Sequence, residues 1–433
     1  MVKRLAYLLI VVSMLWLAAC GPTPTEAPAP PTEAPTKAPA PPTEAPTPPP
    51  AVGECVIKLG AAVSLTGKSA KLGEYTRDGY EFFIKHLNEA GGFSVGDQMC
   101  TFELVLYDDE TNADRAAQLA EKLITEDDIK FLLGPYGSGP TYAVAAIAEK
   151  YEVPHVEANG AAVKIFSQGY KHTFGVLTPA PYYLGGMIDL ALQTDPNLKT
   201  VAIVIENDAF SIEVAEGAKE YAEGKGLEVV YFEEYPAATQ DVSSLVTAMK
   251  GLSPDIVLGA GHLQDTLLVV KQSKDVGLSA KVMGFSVGPV TPEFRDSLGA
   301  DADYIIGSTQ WSPAMQYDGE DIFGTPAKFA EMFQAEYGYE PPYHVAESAA
   351  AIFAYQKAFE VAGSLDQKAV RDALAGLDVM SFYGRIKFNE QGMNIYKPMG
   401  CQQNFPDGKL YTVSPVEVAE KEFLYPFKPW EER

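Results

Sequence analysis

Basic residues and histidines are scarce in this sequence, and both shortages exclude classes of function. The 433 residues include 33 lysines and arginines against 58 aspartates and glutamates, so the formal net charge is −25. A nucleic-acid surface needs clustered lysine and arginine, so no nucleic-acid partner is expected. The same charge disfavours electrostatic attraction to anionic lipid. An acidic surface of this kind is typical of a soluble body, and only five histidines can serve as catalytic bases.

Long apolar runs are also missing, except for one at the start that is too short for an ordinary membrane span. It extends from Leu5 to Ala19, follows Lys3 and Arg4, and ends in Leu-Ala-Ala-Cys20. This pattern resembles the lipobox of bacterial lipoproteins. The resemblance implies a signal peptide over residues 1–19, a lipidated Cys20, and an exported protein anchored to the outer face of the cell membrane or its periplasmic side. The alternative is a secretory signal with an incidental cysteine.

Residues 20–53 are rich in Pro, Thr, Ala and Glu and have too few apolar side chains to build a core. The nonapeptide APAPPTEAP occurs twice, at Ala27 and at Ala38. This composition predicts an extended, polyproline-like linker. At ~3.1 Å per residue, it could hold the folded body up to roughly 100 Å from the membrane. We expect it to act as a spacer only.

From residue 54 the pattern changes to apolar strand-like runs that alternate with helix-like stretches. The first series starts with VIKLGAAV and continues through FELVLYD, FLLGPY and VPHVEA. The second series starts with VAIVIE and continues through EVVYFEEY, DIVLGAGH and AKVMGF. Apolar strands separated by helices indicate parallel sheets that are covered on both faces. The sequence therefore predicts an α/β protein of two doubly wound lobes, with a ligand site in the cleft beyond the strand ends.

Only four cysteines are present, and they are expected to differ in role. Cys55 and Cys100 each lie at the start of a predicted strand. If those strands are parallel neighbours, a disulfide between the two is sterically reasonable in an oxidising compartment. Cys401 is then left as a free or buried thiol, although four cysteines can pair in other ways.

The stretch LLGPYGSGPTY, from Leu132, is the main candidate for chemistry because a strand stops there in a Gly- and Ser-rich turn. A nucleophile elbow has the pattern Gly-x-Ser-x-Gly, with a glycine two residues before and two residues after the serine. Around Ser138 those two positions are Tyr136 and Pro140. The chain has no Gly-x-x-x-x-Gly-Lys-Ser/Thr loop, and Gly259-Ala-Gly261 lacks the third glycine of a dinucleotide fingerprint.

Two further polar features are interpreted as structural. The acidic run from Asp108 to Glu110 lacks the spacing of a metal loop, so we expect it to cap and solvate. His86 lies on the apolar face of a predicted helix around Tyr75–Ala90 and is expected to be a structural histidine. We expect neither a metal nor a cofactor.

Capture of a small anion fits the Ser138 turn best. Pro140 suits the first position of a helix, where its missing N–H costs nothing. The amides of Gly139 and Thr141 would then point out of the helix start and favour negative charge, with help from the hydroxyls of Ser138 and Thr141. We therefore expect Tyr136, Ser138 and Thr141 to contact a ligand carboxylate or carbonyl.

From residue 54 to about Asn404 the chain resembles the type I periplasmic binding proteins of ABC importers, in particular the leucine/isoleucine/valine-binding branch. The resemblance rests on the motifs IKLGAAVSLTGKSAKLGEYTRDGYEF, LYDDETNADRA, FLLGPYGSGPT, GLSAKVMG and FYGRIKFNEQG, in this order and spacing. It implies three crossings between the lobes, near residues 178–180, 308–311 and 382–385. Lobe 1 would comprise about 54–178 and 312–381, and lobe 2 about 181–307 and 386–433.

The resemblance also implies a set of site residues. The carboxylate-binding serine falls on Ser138. The cleft loop of the family falls on Asn159, Gly160 and Ala161, where a threonine is common at the last position. An aromatic position falls on Phe210, a tyrosine position on His262, and an apolar contact on Tyr343.

One position departs from the family in a way that bears on the ligand. The glutamate that pairs with the ligand's ammonium falls on Ser286. A buried ammonium needs an anionic or multiply hydrogen-bonded partner. Either Glu206 and Asp208 substitute for that glutamate, or the ligand has no α-amino group.

The resemblance implies a solute-binding lipoprotein that captures a small organic ligand, a branched-chain amino acid-like molecule, carboxylate or amide. It would act as a monomer without covalent chemistry, and its partners would be the permease and ATPase subunits of an importer. A lipid anchor would be its only membrane contact. One alternative is a receptor domain that reports ligand occupancy to a signalling partner. A further alternative is an exported hydrolase that uses Ser138.

Overall fold

A computed structural model of the protein describes residues 55–433, and the signal peptide, Cys20 and the linker lie outside the described residues. Lobe 1 is built on a six-stranded sheet in the order β2-β3-β1-β4-β5-β6, in which only β2 is antiparallel to its neighbour. Its strands are β1 (Cys55–Val63), β2 (Phe93–Val95), β3 (Gln98–Asp108), β4 (Phe131–Leu133), β5 (His155–Glu157) and β6 (Thr173–Gly175).

Helices cover this first sheet because its strands are apolar on both faces. Four of them alternate with the strands, and three return to lobe 1 later in the chain. They are α1 (Ala70–Glu89), α2 (Ala113–Thr125), α3 (Ser138–Lys150), α4 (Val163–Phe166), α10 (Pro326–Tyr337), α11 (Tyr343–Ala362) and α12 (Gln367–Ala375). Asn112 caps α2, since its side chain accepts a hydrogen bond from the Arg115 amide at 3.0 Å.

Lobe 2 is built on a seven-stranded sheet in the order β15-β14-β11-β10-β9-β7-β8. Its central strands are parallel, and β14 and β15 add an antiparallel edge. The strands are β7 (Thr200–Asn207), β8 (Glu228–Pro236), β9 (Ile256–Ala260), β10 (Val282–Phe285), β11 (Ile306–Thr309), β14 (Gly400–Asn404) and β15 (Leu410–Ser414). The helices are α5 (Gly185–Thr194), α6 (Ala209–Gly224), α7 (Ser243–Leu252), α8 (Leu263–Val276) and α9 (Pro292–Leu298).

The register of β1 and β3 places Cys55 opposite Cys100, and the two side chains form a disulfide. Cys401, on β14, is a buried free thiol. The acidic run Asp108 to Glu110 has the structural role expected of it. Asp108 accepts the amides of Leu65 and Thr66, and Asp109 accepts the hydroxyl of Ser64 at 2.7 Å.

His86 also has a structural environment. Its ring packs edge-on against Phe82, with 4.5 Å between the ring centroids, and its Nε2 lies 3.0 Å from a carboxylate oxygen of Glu336 on α10. His86 therefore joins α1 to α10 at a place remote from the strand ends.

Three segments cross between the lobes. The first follows β6 and the second follows β11. The third lies later than expected, because the hairpin of β12 (Asp378–Ser381) and β13 (Gly384–Lys387) is followed by residues still attached to lobe 1. Met393 bridges to Gly175 of β6, and the Asn394 side chain donates to the carbonyl of Val176 at 2.9 Å. The expected crossing at 382–385 is therefore wrong, and the chain leaves lobe 1 between residue 394 and β14.

Within residues 55–433, none of the helices is long and apolar enough to cross a membrane.

Candidate ligand-binding site

The carboxyl ends of β4 and β5 in lobe 1 face those of β7, β9 and β10 in lobe 2, and a small cavity lies between them. Its volume is about 10 Å³, which is about the room that one water needs. Both lobes and the first crossing contribute to its wall. The lining residues are Tyr136, Ser138, Asn159, Ala161, Leu177, Tyr183, Phe210, His262, Val287, Tyr343, His344 and Glu347.

Ser138 reaches this cavity because the chain turns sharply after β4. Gly137 has a φ of 89°, which favours glycine, and α3 begins at Ser138, not at Pro140. Pro140 still lies in the first turn, whose amides have no partner within the helix. The Ser138 hydroxyl oxygen accepts a hydrogen bond from the Ala162 amide at 3.0 Å. Its O–H is thereby left to donate into the cavity.

Thr141 does not line the cavity, contrary to the expectation for this residue. Its hydroxyl donates to the carbonyl of Gly137 at 2.8 Å, and its amide bonds to the same oxygen at 3.1 Å. A hypothetical Cβ on Gly160 would lie 2.7 Å from the Thr141 side chain. Thr141 therefore supports the turn and the neighbouring loop from behind.

The loop after β5 presents Asn159 and Ala161 to the cavity, and two buried groups fix it. Glu157 accepts the amide of Gly160 at 2.6 Å. The Asn159 side-chain amide donates to the Ser348 hydroxyl on α11 at 3.0 Å. The Oδ1 atom of Asn159 is buried and makes no hydrogen bond within residues 55–433.

From lobe 2, Phe210 and His262 form the opposite wall, with 5.3 Å between their ring centroids. His262 precedes α8, and its Nδ1 lies 2.9 Å from the hydroxyl of Tyr136 in lobe 1. Its Nε2 lies 3.6 Å from Asp208. Burial lowers the pKa of His262, but the carboxylates of Asp208 and Glu206 outweigh this effect and raise its pKa to about 9. His262 is therefore an imidazolium at neutral pH.

Glu206 and Asp208 do not line the cavity, so they do not stand in for the missing glutamate at 286. Asp208 caps α6 by accepting the amides of Phe210 and Ser211, at 2.8 and 3.1 Å. Glu206 pairs with Lys68 of lobe 1, whose ammonium also lies 2.9 Å from Asp265. Both carboxylates are committed within the protein.

Ser286 is also absent from the cavity wall. It is fully buried at the end of β10, where its hydroxyl donates to the carbonyl of Gly261 at 2.9 Å and accepts the amide of Gly261 at 3.1 Å. These two bonds hold the turn between β9 and α8. Ser286 therefore has a structural role, while its neighbour Val287 lines the cavity.

The lobes are closed upon each other at this cleft. Besides the Lys68 pairs, Glu213 of α6 accepts the amides of Val163 and Lys164 at 2.5 and 3.0 Å. Lys71 of α1 lies 3.3 Å from Glu293 of α9. All these contacts join lobe 1 to lobe 2 across the cleft.

Five lining residues escape prediction from the sequence. They are Leu177, Tyr183, Val287, His344 and Glu347. The clearest signal for the last two is the start of α11, where a histidine and a glutamate interrupt an otherwise apolar and fully buried run of helix. Polar residues at such positions are unusual without a partner.

Glu347 connects the cavity to the hinge. One of its oxygens accepts the hydroxyl of Tyr383, at 3.3 Å, and that hydroxyl lies 3.4 Å from Gln310 in the second crossing. The Gln310 side chain in turn donates to the carbonyl of Thr178 in the first crossing at 2.9 Å. Lys397, in the third crossing, donates to the carbonyl of Gln310. A single network thus joins the three crossings to the cavity wall.

The comparison with known proteins agrees with this architecture. The model of the periplasmic binding protein family matches residues 56–406. A relative named Leu/Ile/Val-binding protein homolog 7, from Brucella abortus, is 25% identical over 390 residues, which cover 86% of this chain and 94% of that protein. A second relative from the same organism, Leu/Ile/Val-binding protein homolog 8, is 25% identical over 84% of this chain and 91% of its own.

Solved structures share the fold. The branched-chain amino acid transporter substrate-binding protein LivJ from Streptococcus pneumoniae, in complex with isoleucine, superposes with a TM-score of 0.72 and 21% identity, over 86% of this chain and all of that one. A solute-binding protein of an ABC transporter from R. palustris, in complex with benzoate, superposes with a TM-score of 0.70 and 20% identity. The match covers 83% of this chain and 95% of that one.

Two parallel-sheet lobes with a cleft between their strand ends define a periplasmic binding protein of type I. The chain belongs to the periplasmic binding protein family, of the branched-chain amino acid ABC transporter type.

Proposed function

We propose that this chain is the solute receptor of an ABC importer, which captures a small organic ligand with a carboxylate or amide and delivers it to a permease. The observation that carries this proposal is the cavity between the lobes. It lies at the strand ends of both sheets, where the start of α3 and the Ser138 hydroxyl offer donors and the His262 imidazolium supplies positive charge. Relatives that bind isoleucine and benzoate share the fold.

Binding is coupled to a hinge motion in this proposal. A cavity of about 10 Å³ cannot hold even a small amino acid, so the lobes must open for a solute to enter and settle around it. Contacts such as Lys68 with Glu206 and Asp265 then form as the cleft closes. The permease would recognise the closed form.

The protein acts by binding and not by covalent chemistry. Among the described residues, Ser138 is hydrogen-bonded to the Ala162 amide and not to a histidine, so no base is in place to activate it. The N-terminal pattern supports a lipid anchor at Cys20 and a Pro-rich spacer in front of the receptor. Replacement Cys20→Ser should release the exported protein from the membrane fraction.

Calorimetry on two serine variants tests the proposal. A thermal-shift screen of amino acids, carboxylates, amides and polyamines first identifies a ligand. Ser138→Ala should then weaken binding by about 1–3 kcal/mol, because a ligand oxygen loses a donor. Ser286→Ala is the matched control, since this buried hydroxyl serves only the Gly261 turn. It should lower thermal stability and leave the affinity nearly unchanged. Equal affinities for wild type and Ser138→Ala would contradict the site.

A further inference from the structure

Glu347 is a buried carboxylate that faces the cavity without a matching cation. Its side chain is 1% exposed, and within residues 55–433 no lysine, arginine or histidine nitrogen lies within 4.0 Å of it. Its one hydrogen bond from the described residues is the 3.3 Å contact with the Tyr383 hydroxyl. A buried carboxylate is costly unless it is paired and hydrogen-bonded. Burial accordingly raises the pKa of Glu347 well above its ordinary value, so the carboxyl group is neutral in the empty cavity and a ligand cation would favour its ionised form.

Among residues 55–433, the charge of Lys397 acts to lower the pKa of Glu347, but Lys397 makes its contacts elsewhere. Its ammonium donates to the carbonyl of Gln310 and lies 4.2 Å from the centre of the Tyr383 ring. It therefore holds the hinge segments together and leaves the cavity side of Glu347 open.

Two more unpaired polar groups line the same cavity. The Oδ1 atom of Asn159 is buried without a hydrogen bond, and so are both ring nitrogens of His344. Burial and the charge of His262 lower the pKa of His344 to about 3, so its ring is neutral and offers one acceptor nitrogen. Three side chains of lobe 1 that can accept hydrogen bonds thus line one cavity, and a ligand ammonium needs acceptors of this kind.

Other residues of the cavity wall can bind the anionic group of a ligand. Ser138 can donate a hydrogen bond, and His262 carries a positive charge. Among the described residues of lobe 2, no carboxylate lines the cavity, and Ser286, which stands where a glutamate would, is bonded to Gly261. A ligand with both an anion and a cation would find its partners at different residues.

We propose that Glu347, at the start of α11 in lobe 1, is the specificity-determining counter-charge for a protonated amine on the ligand, assisted by Asn159 and His344. The inference deepens the proposed function, on which it rests. It assigns the recognition of the ligand amine to lobe 1, because Ser286 in lobe 2 cannot provide a counter-charge. The ligand class is then a zwitterion that carries an amine and a carboxylate, and not a simple aryl or alkyl carboxylate.

Matched ligand pairs test the assignment by calorimetry on the exported protein. The probes are the twenty common L-amino acids and their counterparts without the α-amino group, such as L-phenylalanine with 3-phenylpropanoate and L-leucine with 4-methylpentanoate. We expect at least one amino acid to bind, at least tenfold more tightly than its deaminated partner. In Glu347→Gln this preference should fall below about threefold, and Glu347→Asp should restore part of it.

Glu360→Gln is the control, since it makes the same change on α11 at a residue that pairs with Lys357 and does not line the cavity. It should keep the full preference. Deaminated acids that bind as tightly as their amino acid partners would overturn the inference and leave the proposed function intact. An unchanged preference in Glu347→Gln, with folding confirmed by circular dichroism, would also overturn it. If no probe of either set binds, the inference is overturned, and the proposed function is then decided by the wider screen of amides and polyamines.

Discussion

The two lobes contribute opposite kinds of wall to one cavity. In lobe 1 some polar atoms at the wall have no hydrogen bond within the described residues, namely the Oδ1 of Asn159 and both ring nitrogens of His344. In lobe 2 the charged groups satisfy one another, since Asp208 caps α6 and lies beside His262. The unpaired groups of lobe 1 are suited to recognise a solute. The paired groups of lobe 2 are suited to meet lobe 1 when the cleft closes.

The same contrast extends to stability. Lobe 1 carries the disulfide between Cys55 and Cys100, which ties two adjacent strands at their start. In lobe 2, as far as the structure describes it, Cys401 is a free thiol. Lobe 1 therefore has a covalent constraint at the end of its sheet opposite the binding wall, and lobe 2 has no disulfide within the described residues.

The largest expected effect comes from removal of this disulfide. The bridge closes a loop with a sequence separation of 45, for which the chain-entropy relation gives about 4 kcal/mol. The double variant Cys55→Ala, Cys100→Ala should lose about that much free energy of unfolding, with hydrogen exchange faster over β1 and β3. The amides of β7 and β9 in lobe 2 should stay protected from exchange at denaturant concentrations too low to unfold lobe 1. If both lobes lose exchange protection equally at all denaturant concentrations, the disulfide does not stabilise lobe 1 separately from lobe 2.

A smaller effect should follow from the loss of the lysine that crosses the cleft. In Lys68→Met the buried carboxylates of Glu206 and Asp265 lose their cation in the closed form only. Ligand affinity should fall by about 1–2 kcal/mol, or roughly 5–30-fold. Small-angle scattering should show a larger open fraction of the free protein.

Lys71→Met serves as the matched control for that variant. Lys71 also crosses the cleft, but it pairs with a more exposed carboxylate, Glu293. Exposed pairs contribute little, so the change in affinity should be within about 0.5 kcal/mol. If both lysine variants bind alike, the closing role of Lys68 is wrong.

The smallest effect should appear as a pH dependence that belongs to lobe 2. The pKa of His262 is raised from 6.5 to about 9, so its contribution to stability is complete below pH 6.5 and is lost as the pH rises through 9. The melting temperature should therefore fall between pH 6.5 and 9, and less so in His262→Gln. The pKa of Glu206 is raised by burial from 4.5 to about 7. The effect of Glu206 on stability therefore falls at lower pH, between 4.5 and 7. Parallel melting curves for wild type and His262→Gln above pH 7 would contradict this assignment.

Much of this architecture could be predicted from the sequence, because apolar strands that alternate with helices leave few arrangements open. The capping role of Asn112 and the two lobes follow from local patterns. The third crossing could not be placed in this way. Its position depends on the bridge from Met393 to Gly175, which is a contact between residues distant in sequence.

In the candidate site, too, some residues could be predicted from the sequence and others could not. Ser138 follows a strand end that the sequence pattern marks, and the family resemblance implies Phe210; both line the cavity. The hydroxyls of Thr141 and Ser286 bond to the backbone at Gly137 and Gly261, and sequence alone does not show such bonds. Glu347 was missed because it comes from a helix that returns to lobe 1 more than two hundred residues after Ser138.

The most direct test of the account is the structure of the protein with the tightest ligand from the paired-probe screen. The account predicts the ligand between the lobes, with its carboxylate at Ser138 and its amine at Glu347. A ligand bound instead in the larger pocket of about 260 Å³ that borders Tyr343, among Pro289 and Trp311, would contradict it.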